Sequence, residues 1–426
     1  MHILFLTPNF PPEVNAGATR QYEHCRRWVA AGHRVTVVAP APNWPAGKVY
    51  PGYRNKLRSV EMIDGIRVVR IATYISANQG VLLRTLSFIS YMLHAAFTAC
   101  FTRNVDVLVS TSPQFFAGFA GTLTRLFRRI PFVLEIRDIW PESVMAVGAM
   151  RRSKLIGFLE WLERRMYASA DHIVAVGEGY RDKLIERGVQ KKDISVVTNG
   201  VDLDYWQPCD ADTQLRRQWG GEGKFVCAYV GTVGMAHGLD VVLDAAEIQQ
   251  REGRDDTTFW IVGDGARRQE LREDAERRGL RNVQFLGQVT KPEVKQILAS
   301  SDACLVHLRG TELFGTVIPS KIFETMAMNT PIVMGVRGAA QQVVLDANAG
   351  VPMVPDDPAS LLQCIDQIAA FPAAFAKGRN HVMRFFDRDV LAQDMLNVLA
   401  TYASPDKASI PIPTLPATSD ADRKAA

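Results

Sequence analysis

Residues 303–335 read ACLVHLRGTELFGTVIPSKIFETMAMNTPIVMG, and this stretch contains one complete unit of the alternation that decides the fold. Two short apolar runs, at 303–306 and 332–335, have the length and residue types of buried strands. Between them, a helical pattern starts at Pro319 and continues to about Met328. A strand, a helix and a second strand in this order predict a parallel pair, because parallel strands need a long crossover connection.

The same alternation extends through the rest of the chain. The other predicted strands lie at 3–6, 35–39, 66–71, 105–110, 132–136, 172–176, 225–230, 259–262 and 283–286. Continuously apolar strands separated by amphipathic helices are typical of parallel sheets covered on both faces. The turn-rich segment 198–214, TNGVDLDYWQPCDADTQ, divides these strands into two series. The sequence therefore predicts an α/β protein with two Rossmann-like, doubly wound domains and an interdomain cleft.

Domain boundaries follow from this division. We predict a first domain at 1–200, a second domain at 201–379, one closing helix at about 380–402, and a disordered tail at 403–426. The chain has 426 residues, of which 47% are hydrophobic and 22% are charged, as in soluble globular proteins. Its six cysteines contain no C-x-x-C pair, which argues against a zinc ribbon and a thioredoxin motif. The start MHILFLTPNF does not resemble a signal peptide, so we expect a cytoplasmic protein.

The two halves of the chain differ in charge. Residues 1–200 carry 26 Lys and Arg against 15 Asp and Glu, whereas residues 201–426 carry 23 against 30. A basic half suggests a polyanionic partner, which is a membrane surface, a nucleic acid or a phosphorylated substrate. The alternative is two solvated surfaces that happen to differ. The basic residues are dispersed and form no reading motif, so we expect no nucleic-acid partner.

Segment 81–102 has no charged residue between Arg84 and Arg103. Its polar residues recur at helical spacing as a stripe: Ser87, Ser90, His94, Thr98 and Thr102. An apolar helix with one polar stripe favours contact with an anionic membrane surface, and the alternatives are a plain core helix and a spanning helix. The arginines that would bind lipid headgroups are Arg84, Arg103, Arg125, Arg128 and Arg129.

Two loops are suited to holding an anion with backbone N–H groups. Gly17 and Ala18 lie where the loop after the first strand becomes a helix, and Gly263-Asp264-Gly265 follows a later strand. Each is equally consistent with an ordinary tight turn. The G-x-G-x-x-G fingerprint is absent, which argues against a dinucleotide.

The loop and helix at 310–328 form the densest cluster of candidate site residues. Gly315 permits a tight loop, and Lys321 and Glu324 are spaced to share one helical face. An ammonium beside a helix N-terminus would neutralise a diphosphate, and a carboxylate one turn further would accept hydrogen bonds from a ribose diol. The alternative is a surface ion pair.

A second charged cluster follows the strand at 132–136. In FVLEIRDIWPESV, Arg137 and Asp138 emerge where the strand ends, which predicts a position on the floor of the cleft. The alternative is a structural Arg–Asp pair.

These motifs together resemble the family 4 glycosyltransferases of the GT-B fold. The resemblance covers nearly the whole chain except the tail, and its strongest parts are FPPEVNAGATR, EIRDIWPES, VVTNGVD, WIVGDGARRQEL, VQFLGQV and PSKIFETMA. The variant with RDIWPES and PSKIFE is similar to enzymes of bacterial surface-polysaccharide synthesis, including N-acetylfucosaminyl transferases.

The resemblance implies a retaining glycosyltransferase that needs neither metal nor cofactor. The donor would be a UDP-linked sugar, such as an N-acetylated 6-deoxyhexose or another hexosamine, and the closing helix would cross back onto the first domain. Because positive charge and apolar helices share the first half, we expect a polyprenyl-diphosphate-linked saccharide as acceptor. The enzyme would then act at the inner face of the cytoplasmic membrane.

The resemblance also implies roles for single residues. Lys321 would neutralise the diphosphate, and Glu324 would hold the ribose hydroxyls. We interpret Asp138 ourselves as the best candidate to orient the acceptor. The predicted catalytic residues are Lys321, Asp138 and Arg137. The predicted donor-binding residues are Gly17, Ala18, Gly231, Thr232, His237, Gly263, Asp264, Gly265, Val289, Gly315, Thr316, Ser320 and Glu324.

Three positions depart from the family pattern. Thr316 stands where the first glutamate of E-x7-E is expected, Thr232 and His237 replace a basic pair, and Arg137 replaces a histidine. Lys321 and Arg137 would supply the missing charge. The alternatives to a transferase are a sugar-nucleotide epimerase of similar architecture and a non-catalytic subunit that binds a nucleotide sugar. Asp202-Leu203-Asp204 resembles a metal-binding D-x-D, but its place in the linker leads us to predict no metal site.

Overall fold

The computed structural model describes residues 1–44, 47–75, 81–112, 115–140, 154–311, 314–315 and 317–403. Within these ranges the chain forms two α/β domains, each with its own sheet and apolar core. The predicted tail, Thr316 and the PES of the RDIWPES motif lie outside the described residues.

The first domain contains an eight-stranded sheet in the order β3-β4-β2-β1-β5-β6-β7-β8. Its strands are β1 (His2–Leu6), β2 (Arg34–Pro40), β3 (Arg58–Ile63), β4 (Ile66–Ile71), β5 (Val107–Thr111), β6 (Phe132–Ile136), β7 (His172–Ala175) and β8 (Ile194–Val196). The helices are α1 (Ala16–Ala30), α2 (Val81–Phe101), α3 (Phe115–Phe127), α4 (Lys154–Ser169) and α5 (Glu178–Glu186). All neighbouring strands are parallel except β3 and β4, which form a hairpin.

The second domain contains a six-stranded parallel sheet in the order β11-β10-β9-β12-β13-β14. Its strands are β9 (Phe225–Val230), β10 (Thr257–Val262), β11 (Val283–Gly287), β12 (Ala303–His307), β13 (Ile332–Gly335) and β14 (Gly350–Pro352). The helices that precede β13 are α6 (Thr213–Gln218), α7 (Asp240–Arg251), α8 (Arg268–Arg277), α9 (Lys291–Ala299) and α10 (Lys321–Ala327). The last helices are α11 (Ala339–Asp346), α12 (Pro358–Ala370), α13 (Pro372–Phe375), α14 (Gly378–Phe385) and α15 (Arg388–Ala403).

The direction of strand order reverses beside β1 in the first sheet and beside β9 in the second. Ligands of doubly wound sheets bind at such a switch point, outside the carboxyl ends of the strands. The loop from β1 to α1 and the loop after β9 therefore occupy the positions where each domain is expected to hold a ligand. The predicted α/β class and two-domain, interdomain-cleft architecture are confirmed.

The closing helix differs from the prediction, because it is interrupted between α14 and α15. At the interruption the chain pairs with the linker: the Val201 N–H donates to the Phe386 carbonyl (2.9 Å), and the Arg388 N–H donates to the Val201 carbonyl (3.1 Å). Helix α15 then packs on the first domain, where Trp28 Nε1 donates to the Ala392 carbonyl (2.9 Å). The chain thus crosses back as the resemblance implied, but through a break that helical periodicity did not indicate.

The polar stripe of helix α2 faces the rest of the protein. The Tyr74 N–H donates to Ser90 Oγ (2.8 Å), and His94 Nδ1 lies 2.9 Å from the Ala72 carbonyl oxygen. The apolar side chains of Leu93, Phe97 and Phe101 are more than half exposed instead. No single described helix has the length and apolarity needed to span a bilayer, although a bent pair, Pro358–Ala370 with Pro372–Phe385, meets that criterion jointly.

Candidate active site

A cavity of about 540 Å³ lies between the two domains. Its wall combines the start of α1 and Arg137 from the first domain, the linker around Asn199, and the loops and helices after β9, β11 and β12. This volume is within the usual range for a small-molecule site. Among the described residues that line it, five are cationic and a single one, Glu324, is a carboxylate; the cations are Arg20, Arg137, Lys291, Lys321 and Arg388. A cavity with this charge is suited to a multiply charged anion.

Lys321 begins helix α10, directly after Pro319 and Ser320, and points into the cavity. Its Nζ is buried, has no hydrogen-bond partner among the described residues, and lies 3.9 Å from the centre of the Tyr229 ring. Burial lowers the pKa of the ammonium to about 8. A buried cation without a partner is costly, and an anionic ligand at this position would remove that cost.

Gly231 lies opposite the Lys321 ammonium. Its φ is +144°, and a Cβ at this position would lie 2.8 Å from Lys321 Nζ, so a larger residue would displace the ammonium. Gly263 packs against the Gly231 carbonyl, where a Cβ would come within 1.9 Å, and Gly265 packs against the Val233 backbone in the same way. The Gly263-Asp264-Gly265 turn, which was predicted to bind the donor, therefore supports the Gly231 loop from behind and does not itself line the cavity.

Thr232 and His237 follow Gly231 on the cavity wall. The Thr232 carbonyl accepts a hydrogen bond from the Tyr229 hydroxyl (2.6 Å), which fixes the loop over the ring. Burial, assisted by the Lys321 charge, lowers the pKa of His237 to about 3, so its ring is neutral at physiological pH. His237 therefore does not replace the positive charge of the family's basic pair.

Glu324 lies one turn after Lys321 on α10 and faces the same cavity. Burial raises the pKa of this carboxyl, and the nearby Arg388, Lys291 and Lys321 oppose the rise. Lys291 begins α9, and its Nζ lies 4.1 Å from the centre of the Tyr205 ring. Val289, in the loop before α9, also lines the cavity, and so does Trp206. The cavity wall thus combines a carboxylate with apolar and aromatic surface, as a ribose and a base require.

Arg137 lines the cavity from the first domain. Its buried Nε has no hydrogen-bond partner, and its Nη1 lies so close to Gly17 that a Cβ there would be 2.8 Å away. Gly17 is the second residue of α1, so a guanidinium and a helix N-terminus adjoin each other here. Ala18 is different, because it is fully buried and its N–H donates to Asn15 Oδ1 (2.9 Å), the N-cap of α1. Ala18 does not line the cavity.

Arg20 connects α1 with the sheet and the linker. It forms a buried ion pair with Glu135 (2.9 Å) and donates to the carbonyls of Val197 (2.8 Å) and Thr198 (2.5 Å). Burial opposes ionisation of Glu135, but Arg20 and Arg137 outweigh it and hold the pKa of this carboxyl below its usual range. The pair keeps α1 and the floor of the cleft in a fixed relation.

The structure thus brings together part of the predicted site. The predicted residues that line the cavity are Arg137, Gly231, Thr232, His237, Val289, Ser320, Lys321 and Glu324. Gly17 adjoins Arg137, which lines the cavity. Asp138 lies beside Arg137 but does not itself line the cavity, so its contact with an acceptor stays a prediction. Gly315 does not reach this cavity, because it packs against Gly338 and borders a separate pocket of about 320 Å³. Thr316 lies outside the described residues.

Sequence reasoning missed three cationic residues of the site. Arg20 lies on α1, Lys291 begins α9, and Arg388 begins α15. Lys291 lies two positions after Val289 of the predicted base-binding loop, and this closeness in sequence was the one signal that could have indicated Lys291. In the part of the chain that the structure describes, no group of three His, Cys, Asp or Glu side chains is placed to hold a metal ion.

Two protein-family profiles match consecutive parts of the chain. The profile described as a glycosyl transferase 4-like domain matches residues 15–200, and the profile described as glycosyl transferases group 1 matches residues 224–370. The two facing α/β domains have the GT-B fold. The two profiles together span most of the chain, which therefore belongs to the glycosyltransferase family that they describe, and the resemblance to family 4 is confirmed.

Individual relatives match over long stretches. The putative colanic acid biosynthesis glycosyl transferase WcaI of Escherichia coli is 25% identical over 413 residues, which cover 93% of this chain and 99% of WcaI. The probable glycosyltransferase WbjE of Pseudomonas aeruginosa is 25% identical over 287 residues, which cover 66% of this chain and 70% of WbjE.

Solved structures show the same fold at lower identity. Sucrose-phosphate synthase from Thermosynechococcus elongatus superimposes with a TM-score of 0.75 at 16% identity, covering 94% of this chain and 98% of that one. HepE from Anabaena in complex with UDP-glucose superimposes with a TM-score of 0.70 at 18% identity, covering 94% and 100%.

Proposed function

We propose that this glycosyltransferase transfers a sugar from a UDP-linked donor to a polyprenyl-diphosphate-linked saccharide during synthesis of a bacterial surface polysaccharide. The observation that carries the proposal is the charge of the interdomain cavity. Five cationic side chains and one carboxylate face it among the described residues, and Lys321 Nζ is buried there without a partner. A diphosphate ester is an anion that such a cavity would favour.

The donor would be held by both domains. Lys321 and the Gly231 loop would contact the diphosphate from the second domain, and Arg137 and the start of α1 at Gly17 would contact it from the first. Glu324 would accept hydrogen bonds from the ribose hydroxyls, and the loop at Val289 would contact the base. HepE, which has the same fold, has been solved with UDP-glucose, and this supports a UDP-linked donor.

The reaction would proceed with retention by front-face transfer. The bond between C1 of the sugar and the diphosphate oxygen breaks, a bond from C1 to the acceptor oxygen forms, and the acceptor proton passes to the departing phosphate. Lys321, Arg137 and backbone N–H groups would stabilise the charge that develops on the diphosphate, so the step needs no metal. Asp138, which lies beside Arg137, would orient the acceptor hydroxyl.

A lipid-linked acceptor and a position at the inner face of the cytoplasmic membrane agree with the surface of the first domain. Leu93, Phe97 and Phe101 on α2 are exposed, and so are Leu126 and Phe127 at the end of α3. The basic residues that remain exposed beside these helices are Arg84, Arg103 and Arg129. WcaI is named for colanic acid biosynthesis, and this supports a surface polysaccharide as the product.

The decisive test is a donor screen with membrane extract as acceptor source and mass detection of the elongated lipid. The proposal expects one UDP-sugar to give a lipid heavier by one sugar residue, without added divalent metal and in the presence of EDTA. Conversion of the donor without acceptor would instead indicate an epimerase. Nucleotide binding without any product from several donors would indicate a non-catalytic subunit.

A further inference from the structure

Helix α10, which carries Glu324, is held by the segment that crosses back to the first domain. The Phe323 ring packs on Phe386 with ring centres 4.6 Å apart, and Arg379 Nη1 donates to the Ala327 carbonyl (2.9 Å). Phe386 also accepts a hydrogen bond from the linker at Val201. The carboxylate-bearing helix and the crossover thus form one packed unit.

Arg388 leaves this unit and enters the cavity. Both the backbone and the side chain of Arg388 are anchored to the linker: its backbone N–H donates to the Val201 carbonyl (3.1 Å), and its Nε donates to the Gly200 carbonyl (3.0 Å). Its Nη1 lies 3.9 Å from Glu23 Oε1 on α1. Arg26 and Arg27 already bind Glu23, so this carboxylate has other cationic partners and does not need Arg388.

Glu324 is the other carboxylate, after Glu23, whose charge acts on Arg388. Both side chains line the cavity, and the charge of Arg388 is the largest of the influences that oppose the burial-driven rise in the pKa of Glu324. A carboxylate that is to accept hydrogen bonds from a diol must stay ionised and correctly oriented. Burial acts against ionisation here, and the nearby cations Arg388, Lys291 and Lys321 favour it.

We infer that Arg388, at the start of the crossover helix, is a positioning residue that holds Glu324 in the form that binds the ribose diol of the nucleotide. The inference rests on the proposed function, because it assigns the diol to Glu324. Under this inference, nucleotide binding in the second domain depends on Arg388, whose side chain is anchored to the linker. Arg388 acts through Glu324, and the bond-forming atoms lie elsewhere in the cleft.

The test compares the dissociation constants of UDP and 2′,3′-dideoxy-UDP by calorimetry. In the native protein we expect UDP to bind more tightly because of its diol. In Arg388→Met we expect UDP to bind about tenfold more weakly and dideoxy-UDP to bind unchanged, so that the preference for the diol disappears. If the role of Arg388 were merely structural, Arg388→Met would weaken the binding of both ligands equally, and that result would overturn the inference.

A double-mutant cycle makes the assignment specific to Glu324. Glu324→Gln should remove the preference for the diol by itself, and adding Arg388→Met should cause no further loss; an additive loss would contradict the inference. Arg388→Lys, which retains the charge, should recover part of the affinity. Arg384→Met, an exposed arginine of the same segment, is the matched control and should bind both ligands as the native protein does.

The two proposals fail in different ways. If the native protein bound none of UDP, GDP, ADP and CDP, the proposed function and this inference would both be overturned. If it bound UDP and preferred the diol, but Arg388→Met kept that preference, only the inference on Arg388 would fall. Thermal unfolding of each variant, measured alongside, shows whether the substituted chains are folded.

Discussion

The Lys321 ammonium lies 3.9 Å from the centre of the Tyr229 ring, and its Nζ has no hydrogen-bond partner among the described residues. The face of an aromatic ring compensates a buried cation only in part. The fold therefore holds the ammonium in a position where it can bind an anion. Such preorganisation is what stabilises a departing phosphate without rearrangement during the reaction.

Replacing Lys321 with alanine is expected to reduce turnover by roughly 10²–10³-fold, the usual effect of removing one preorganised group that stabilises charge in a transition state. Initial rates with saturating donor and acceptor measure the effect. Lys192→Ala, at an exposed lysine of the first domain, is the control and should retain full turnover. Unchanged turnover in Lys321→Ala would refute the role of Lys321 at the diphosphate.

Binding of a nucleoside diphosphate should be linked to a proton on Lys321. Its pKa is lowered to about 8 by burial, so the ammonium is charged below that pH and loses its proton above it. A bound diphosphate favours the charged form and raises this pKa again. We expect affinity for UDP to be constant well below pH 8, to fall as pH rises through 8, and to be accompanied by proton uptake near pH 8.

Calorimetry at pH 8 in buffers of different ionisation enthalpy measures that uptake. His237, whose pKa is lowered to about 3, and Tyr229, whose pKa burial raises, do not titrate in this range. Lys321→Arg should bind UDP without proton uptake, because a guanidinium stays protonated throughout. Equal uptake in Lys321→Arg would assign the proton to another group.

Gly231→Ala tests the close approach of the loop to Lys321. The new Cβ would lie 2.8 Å from Lys321 Nζ, at a φ of +144° that an alanine adopts only with strain. We expect the ammonium to be displaced, the KM for the donor to rise about tenfold, and the free energy of unfolding to fall by about 1–3 kcal/mol. Steady-state kinetics and urea denaturation measure the two effects.

Gly253→Ala is the matched control for this substitution. Gly253 also has a positive φ, +71°, but no atom lies within 4 Å of the position that its Cβ would take. It should show the loss of stability without the change in KM. A rise in KM in both variants would mean that backbone strain, and not the approach to Lys321, limits donor binding.

The fold could be predicted largely from local sequence, because buried parallel strands leave continuous apolar runs. Three strands were missed, β3, β8 and β14, and β3 is an edge strand whose side chains alternate between exposed and half-buried. Asp64-Gly65 was a readable hairpin signal, and both residues have positive φ. Strands β8 and β14 have three residues each, too few to leave a pattern.

From spacing alone, the site could be predicted only where its residues share one element, and the family resemblance indicated Gly231, Thr232, His237 and Val289. Lys321 and Glu324 lie on the same short helix, so their spacing in the sequence already placed them together. Arg20, Lys291 and Arg388 come from three elements far apart in the chain, and only the closed arrangement of both domains brings them to one cavity. The break before α15 could not be predicted either, because the linker causes it through Val201.

The exposed apolar side of α2 should bind anionic membranes. The rings of Phe97 and Phe101 lie 4.7 Å apart, and their side chains are 62% and 72% exposed. We expect Phe97→Ser with Phe101→Ser to reduce binding to vesicles with acidic phospholipids at least tenfold, because burying an aromatic side chain contributes about 1.5–3 kcal/mol.

Vesicle co-sedimentation measures the effect, and raising the salt concentration should also weaken binding in the native protein, because exposed arginines are screened. Phe371→Ser, at an exposed phenylalanine of the second domain, is the control and should bind as the native protein does. Both variants should retain the native affinity for UDP, since neither position lines the cavity. If vesicle binding changed with none of salt, lipid charge and the α2 substitutions, this surface of the first domain would not be the one that contacts the membrane.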